Sequence, residues 1–233
     1  MRADDRDLEN SHLDGFIMPD GEFIAIDDVQ RMYEAAEKHL QTPQRIIELM
    51  HELANDCVSK NKFAGAQAYF ERIIEISDSE VITSSCFLKI GQIKENQEDI
   101  AAAIDWYRRA FRMRPGSDET WYFLYNNLGY CLNRLGQHEE AMAYCEKAIS
   151  LNRDRHNAHK NLGVALEGLG RYADAAQSYL KAAGLCPADT RALSLLCSVI
   201  KSHPEIAVDF PELRNGTKLA ALGSSLPVSG QQN

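Results

Sequence analysis

Residues 127–149 read NLGYCLNRLGQHEEAMAYCEKAI, and residues 161–183 read NLGVALEGLGRYADAAQSYLKAA. The second string repeats the first 34 residues later. Asn127-Leu128-Gly129 returns as Asn161-Leu162-Gly163, Leu132 as Leu166, and Leu135-Gly136 as Leu169-Gly170. Ala141, Cys145 and Ala148 then return as Ala175, Tyr179 and Ala182. A fixed period of this size marks stacked copies of one supersecondary unit. Within a copy, apolar residues recur at i, i+3, i+4 and i+7, which is one face of an α-helix. Leu124, Leu128, Leu132 and Leu135 stripe one helix, and Ala141, Ala148 and Leu151 line the next. Gly163 and Ala175 are small, as close approach of two helix backbones requires. Gly136 and Gly170 fall where a helix ends on a left-handed residue.

Two more copies appear upstream. Ile90-Gly91, Ala103, Tyr107, Ala110 and Pro115 form one, and Leu53-Ala54, Cys57, Ala66, Phe70 and Ile73 form a weaker one. Pro115 and Pro187 close second helices, which proline cannot continue. The pattern resembles the tetratricopeptide family, whose signature is W-x-x-L-G-x-x-Y, then A-x-x-x-F, a small Ala and a Pro. That resemblance implies an all-α fold, a right-handed superhelical α-α solenoid of four helix pairs at 47–80, 84–117, 122–155 and 156–189. Capping helices are expected at both ends of the array. One is expected within 27–46, where Asp27 or Asp28 caps a helix running through Leu40 and Thr42-Pro43 starts the next. The other is expected at 190–203, stopped before Pro204. Four residues inserted between the second and third copies add about one helical turn. Ser117 caps that longer helix, which starts near Asp118 and carries Trp121 and Tyr122. Residues 1–26 are expected to be mostly irregular, with a small hairpin turning at Asp20-Gly21, and 204–233 form a tail. Residues 1–14 and about 222–233 are expected to be disordered.

Composition limits function. The chain has 233 residues, 45% of them hydrophobic, with a net charge of −9. Residues 1–100 hold 10 basic against 21 acidic side chains, and residues 101–233 hold 15 against 13. An acidic chain without a basic stripe argues against nucleic acid, where phosphate neutralisation dominates affinity. The cluster Arg108, Arg109, Arg112 and Arg114 reads as a solvated helix face. No apolar run is long enough for a membrane helix. The acidic first fifteen residues resemble neither a secretory signal nor a transit peptide, so a cytoplasmic location is expected. Six cysteines at 57, 86, 131, 145, 186 and 197 show no ligand spacing. Cys57, Cys131, Cys145 and Cys197 fall on packing slots, so reduced core thiols are expected.

First helices of such repeats line the concave face. Residues opposite the core stripe are therefore candidates for binding a peptide or partner protein. They are Asn55 in the first copy, Lys89 and Gln92 in the second, and Phe123, Asn126, Asn127, Tyr130, Asn133 and Arg134 in the third. Asn157, Lys160, Asn161 and Glu167 follow in the fourth, and Arg191 in the cap. His51, Ser85, Leu88 and Val164 fall on the same face. An asparagine amide both donates and accepts, so a solvent-facing ladder of amides suits an extended backbone. The family resemblance implies backbone contact by Asn127 and Asn161. Some members clamp a terminal carboxylate with Lys, Asn, Asn, Lys and Arg. The corresponding positions here are His51, Asn55, Lys89, Phe123 and Asn127, or Asn126, Tyr130, Asn161, Arg191 and Leu195. Neither set supplies the charged pair, and that subclass is rejected.

Catalytic signals are not found. There is no G-x-x-x-x-G-K-[ST] and no H-E-x-x-H. His156 and His159 lack a third ligand nearby, and Glu139-Glu140 and Glu52/Asp56 are surface carboxylates. No cofactor is expected. The leading expectation is a non-catalytic adaptor for an extended peptide. The second is a scaffold that self-associates through the Trp106/Phe111 region or its capping helices. The third is an accessory chaperone for a client protein.

Overall fold

The computed structural model of the chain describes residues 14–17, 23–40 and 42–208. The turn at Asp20-Gly21 and the termini expected to be disordered lie outside the described residues, except for Asp14. The fold is all-α apart from one short hairpin, and the chain falls into two compact units, Met1–Pro115 and Gly116–Asn233.

In the first unit β1 (Gly15–Ile17) pairs antiparallel with β2 (Phe23–Ala25), placing Phe16 opposite Ile24. Five helices follow: α1 (Val29–His39), α2 (Pro43–Ser59), α3 (Phe63–Ile76), α4 (Glu80–Asn96) and α5 (Ile100–Arg112). The second unit contains α6 (Asp118–Arg134), α7 (His138–Leu151), α8 (His156–Gly168), α9 (Tyr172–Leu185) and α10 (Thr190–Ser202). A 3-10 turn, Pro204–Val208, follows α10. Helix hairpins α2/α3 and α4/α5 pack in one unit, and α6/α7 and α8/α9 in the other.

Local chemistry sets the helix ends. Asp28, Thr42, Ser79, Asp99 and Ser117 each accept a first-turn amide through their side chains, satisfying donors that have no intrahelical partner. Pro43 fills the first position of α2, where a missing N–H costs nothing. At the other end, α2, α4, α6 and α8 all close through a left-handed residue: Asn61, Glu98, Gly136 and Gly170. In each case the next amide reaches back to the helix. Lys62 N donates to Cys57 O at 2.8 Å, and Asp99 N to Lys94 O at 2.9 Å. Gln137 N donates to Leu132 O and Arg171 N to Leu166 O, both at 2.9 Å. The same turn is made four times, twice with a Cβ that the left-handed conformation disfavours.

The glycines in mid-helix have a different cause from the one expected. A Cβ on Gly91 would overlap the Tyr107 ring, and one on Gly163 the Tyr179 ring. Each glycine makes room for an aromatic of the following helix, not for its backbone. In the third copy Cys145 replaces the aromatic, and its Sγ would lie 2.6 Å from a Cβ on Gly129. The rings also carry a polar end. Tyr107 donates to Glu95 at 2.8 Å and Tyr179 to Glu167 at 2.7 Å, both across 12 residues. The first copy has Val58 where such a glutamate would stand. Its ring seat holds Phe70, which has no hydroxyl, and the adjacent Tyr69 donates to the carbonyl of Ile26 at 2.6 Å.

Residues 15–17 and 23–25 form the small hairpin expected in this segment. Ile24 and Ile26 are buried in the first unit's core with Cys57, Tyr69 and Phe70. Lys60 bridges Asp14 at 2.9 Å and Asp56 at 3.0 Å, and Lys62 adds Asp14 at 3.2 Å.

Several core assignments need correction. Leu135 is the residue capping the C-terminus of α6 and is 50% exposed, because the helix ends before its stripe does. Leu151 closes α7 and is exposed too. Cys197 is exposed, whereas Cys86 is buried along with Cys57, Cys131 and Cys145. Among the described residues no second α-helix follows α10 to cover Cys197. No helix of the described residues is long and apolar enough to cross a membrane.

Two substitutions test the turns and the ring seats by urea unfolding. Glu98→Gly relieves a left-handed Cβ and should stabilise by about 0.5–1 kcal/mol. Gly163→Ala drives a methyl into the Tyr179 ring and should cost about 1–3 kcal/mol. A neutral Gly163→Ala would show that the ring shifts freely.

Candidate functional site

Helices α6, α8 and α10 present residues three or four apart to a common cavity of about 360 Å³ in the second unit. Tyr130, Asn133 and Arg134 come from α6, Lys160, Asn161 and Val164 from α8, and Arg191 and Leu195 from α10. The apolar wall is Val164, Leu195 and the Tyr130 ring, and the cations sit around it.

The amides beneath are not solvent-facing as expected. Asn126, Asn127 and Asn161 are 8%, 8% and 5% exposed. Asn161 Nδ2 donates to Asn126 Oδ1 at 3.1 Å, and Asn126 Nδ2 donates to Asn127 Oδ1 at 3.1 Å. Asn133 Nδ2 donates to the Asn161 carbonyl at 2.8 Å, and its Oδ1 meets His138 Nδ1 at 3.2 Å. Helices α6 and α8 pack directly on each other, so polar residues on the facing sides become an interior ladder. Within that contact each amide must be paired, since an unpaired buried polar group costs about 1–3 kcal/mol.

The cations differ in what holds them. Arg191 Nε and Nη2 donate to Asp189 Oδ1 and Oδ2, each at 2.8 Å, and the Arg191 amide donates to Oδ1 at 3.1 Å. His156 Nε2 lies 3.1 Å from Asp189 Oδ2. Hydrogen bonds from Arg191 hold the Asp189 carboxyl far below its ordinary range, and those bonds raise Arg191 in turn. Arg134 Nη1 donates to the Tyr130 hydroxyl at 3.0 Å. Lys160 has a weaker anchor, a 3.4 Å hydrogen bond to Asn157 Oδ1. Burial and then the neighbouring Arg191 push its ammonium below the ordinary lysine value, with Asp189 partly opposing. A half-buried cation is thus held beside a second cation whose counterion is already committed.

Models of the tetratricopeptide repeat match residues 84–117, 122–155 and 146–190. The chain is a tetratricopeptide repeat protein. It is 34% identical over 98 residues to the Drosophila melanogaster protein O-mannosyl-transferase Tmtc3, covering 41% of this chain and 11% of that protein. It is 30% identical over 95 residues to the peroxisomal targeting signal receptor of Kluyveromyces lactis, covering 41% and 16%. The chain therefore spans only a small part of these relatives. Among solved structures, MamA from Desulfovibrio magneticus RS-1 shares the fold with a TM-score of 0.61 at 15% identity, over 75% of this chain and 95% of that one. YrrB, described as a TPR protein with an unusual peptide-binding site, gives 0.56 at 19% identity, over 85% and 100%.

Within this tetratricopeptide framework the expected site residues separate. Tyr130, Asn133, Arg134, Lys160, Asn161 and Arg191 meet at one cavity. Asn157 anchors Lys160. Glu167 is committed to the Tyr179 hydroxyl, so it belongs to the packing of its own hairpin. Phe123 packs edge-on to Tyr122, with the Arg155 guanidinium 4.8 Å above its ring, and does not line the cavity. Asn55, Lys89 and Gln92 belong to the first unit, the asparagine exposed and the other two half-buried. Asp189 was missed, although an Asp immediately before Thr190-Arg191 is a visible helix cap. Among the described residues no group of three His, Cys, Asp or Glu side chains is placed to hold a metal. His159 is used on the Arg153 carbonyl at 2.9 Å.

Asn161→Ala should lower the stability of the second unit by about 1–3 kcal/mol in urea unfolding, since the Asn126 amide oxygen loses its donor. A loss below about 0.5 kcal/mol, typical of surface positions, would place this side chain outside the ladder.

Proposed function

We propose that the chain is a non-catalytic interaction module and that its second unit binds an extended, acidic segment of a partner protein at the α6/α8/α10 cavity. One observation carries this: Lys160 is a half-buried ammonium beside Arg191, with no carboxylate paired to it among the described residues, in a cavity lined in part by apolar groups. An anion brought there meets a cation that burial has stripped of part of its water, where attraction is stronger than at an open surface. The peptide-binding site named for YrrB and the targeting-signal recognition named for the Kluyveromyces lactis receptor support peptide capture on this scaffold. The buried asparagines serve as framework, and the polar contacts fall to Lys160, Arg134 and Tyr130. The cysteines, present as thiols, fit a reducing compartment such as the cytoplasm. Self-association through Trp106 has less support. That ring is half-buried, 5.6 Å from Phe87, and the Arg109 guanidinium covers it at 3.9 Å.

Calorimetry on a partner recovered by pull-down tests this function. Lys160→Glu should weaken binding by about 1–3 kcal/mol, and affinity should fall with salt as exposed charges are screened over about 10 Å at 0.1 M. Affinity should also fall as pH rises through the lowered Lys160 value. The neutral amine forms there in the free protein, and an anion must first restore its proton. Salt-independent binding, unchanged by Lys160→Glu, would exclude this cavity.

A further inference from the structure

Resting on that function, we propose that the cavity takes the side-chain carboxylate of a glutamate inside the partner segment, not a carboxylate at a chain end. Donor supply decides between the two. One edge of the Arg191 guanidinium, Nε with Nη2, is filled by Asp189 at 2.8 Å on each nitrogen, which commits much of its charge to a carboxylate of this chain. Asp189 is also the N-cap residue of α10 and touches His156, so a ligand displacing it would undo three contacts at once. The amide of Asn161 is turned inward, donating to Asn126 Oδ1 and more distantly, at 3.5 Å, to the Asn126 carbonyl. Asn133 donates to the Asn161 backbone. What remains on the wall is a flexible point charge, Lys160, with the outer Nη1 side of Arg191 and the Arg134–Tyr130 pair nearby.

A chain end carries its carboxylate directly on the backbone. Seating it at Lys160 draws a peptide N–H and C=O inward as well, and the asparagines that would pair them are already engaged, so desolvation opposes entry. A glutamate brings two methylenes instead. These lie against Val164, Leu195 and the Tyr130 ring, while the partner backbone stays at the mouth in water. Aspartate, shorter by one methylene, must bring its backbone closer and should bind less well.

The test is calorimetry on the full chain with four octapeptides of one serine- and leucine-containing sequence, all N-acetylated. One carries a central glutamate and an amidated end, the second aspartate, and the third glutamine. The fourth carries glutamine with a free terminal carboxylate. The glutamate amide should bind at least tenfold tighter than the glutamine amide, with aspartate between them. The glutamine peptide with the free end should lie within twofold of its amide. Lys160→Gln should erase the glutamate advantage and Lys160→Arg should keep most of it, with thermal unfolding by circular dichroism confirming that both variants fold. If the free-ended glutamine peptide binds as tightly as the glutamate amide, the side-chain assignment fails and the acidic-segment function survives. If the four peptides are not distinguished, or none binds, both fail.

Discussion

A tyrosine ring resting on a glycine fixes the distance between the two helices of a hairpin. Tyr107 sits on Gly91 and Tyr179 on Gly163, and each hydroxyl is tied to a glutamate near the end of the glycine's own helix. The ring's apolar body and polar tip are both satisfied within one hairpin, so each pair is held by contacts of its own. The third copy keeps the glycine but fills the seat with Cys145, a smaller side chain whose buried thiol is pushed up to about 12. In the second unit, the direction in which α8 leaves its hairpin decides where Lys160 and Val164 point. The cavity geometry thus descends from a contact on an adjacent flank of the same helix.

Much of the fold could be read in the chain because its decisive residues act locally. Thr42-Pro43 and Ser117 mark helix starts through groups within three residues, and Gly136 and Gly170 mark turns through their own φ angles, +72° and +74°. Periodicity failed where a neighbour decides the outcome. Leu135 continues the stripe past the end of its helix, and Cys197 occupies a packing slot that no following helix covers among the described residues. The Ile26 carbonyl satisfying Tyr69 was invisible, because a backbone atom 43 residues away leaves no mark on a side-chain pattern.

The cavity shows the same division. Choosing residues opposite the apolar stripe found seven of its eight lining residues, all but Leu195, since α6, α8 and α10 repeat one orientation. It mistook the state of the asparagines. A polar residue opposite the core faces water only when no further helix arrives, and α6 meets α8 at Asn126, Asn127 and Asn161. Their amides then give up ligand capacity to hold the helices in register, as fully paired buried networks do. Glu167 follows the same logic, drawn from the groove side into its hairpin by Tyr179.

Asp189 joins these layers. One carboxylate caps α10, grips Arg191 along one edge and reaches His156 on α8. Helix α10 is therefore fastened to the wall of the cavity by the same charge that masks one of the cavity's cations. Any anion strong enough to displace Asp189 from Arg191 would loosen α10, and by thermodynamic reciprocity a loosened α10 would bind such an anion more readily. For such an anion alone, capture of Arg191 and fraying of α10 would be two readouts of one equilibrium, with Asp189 as its pivot.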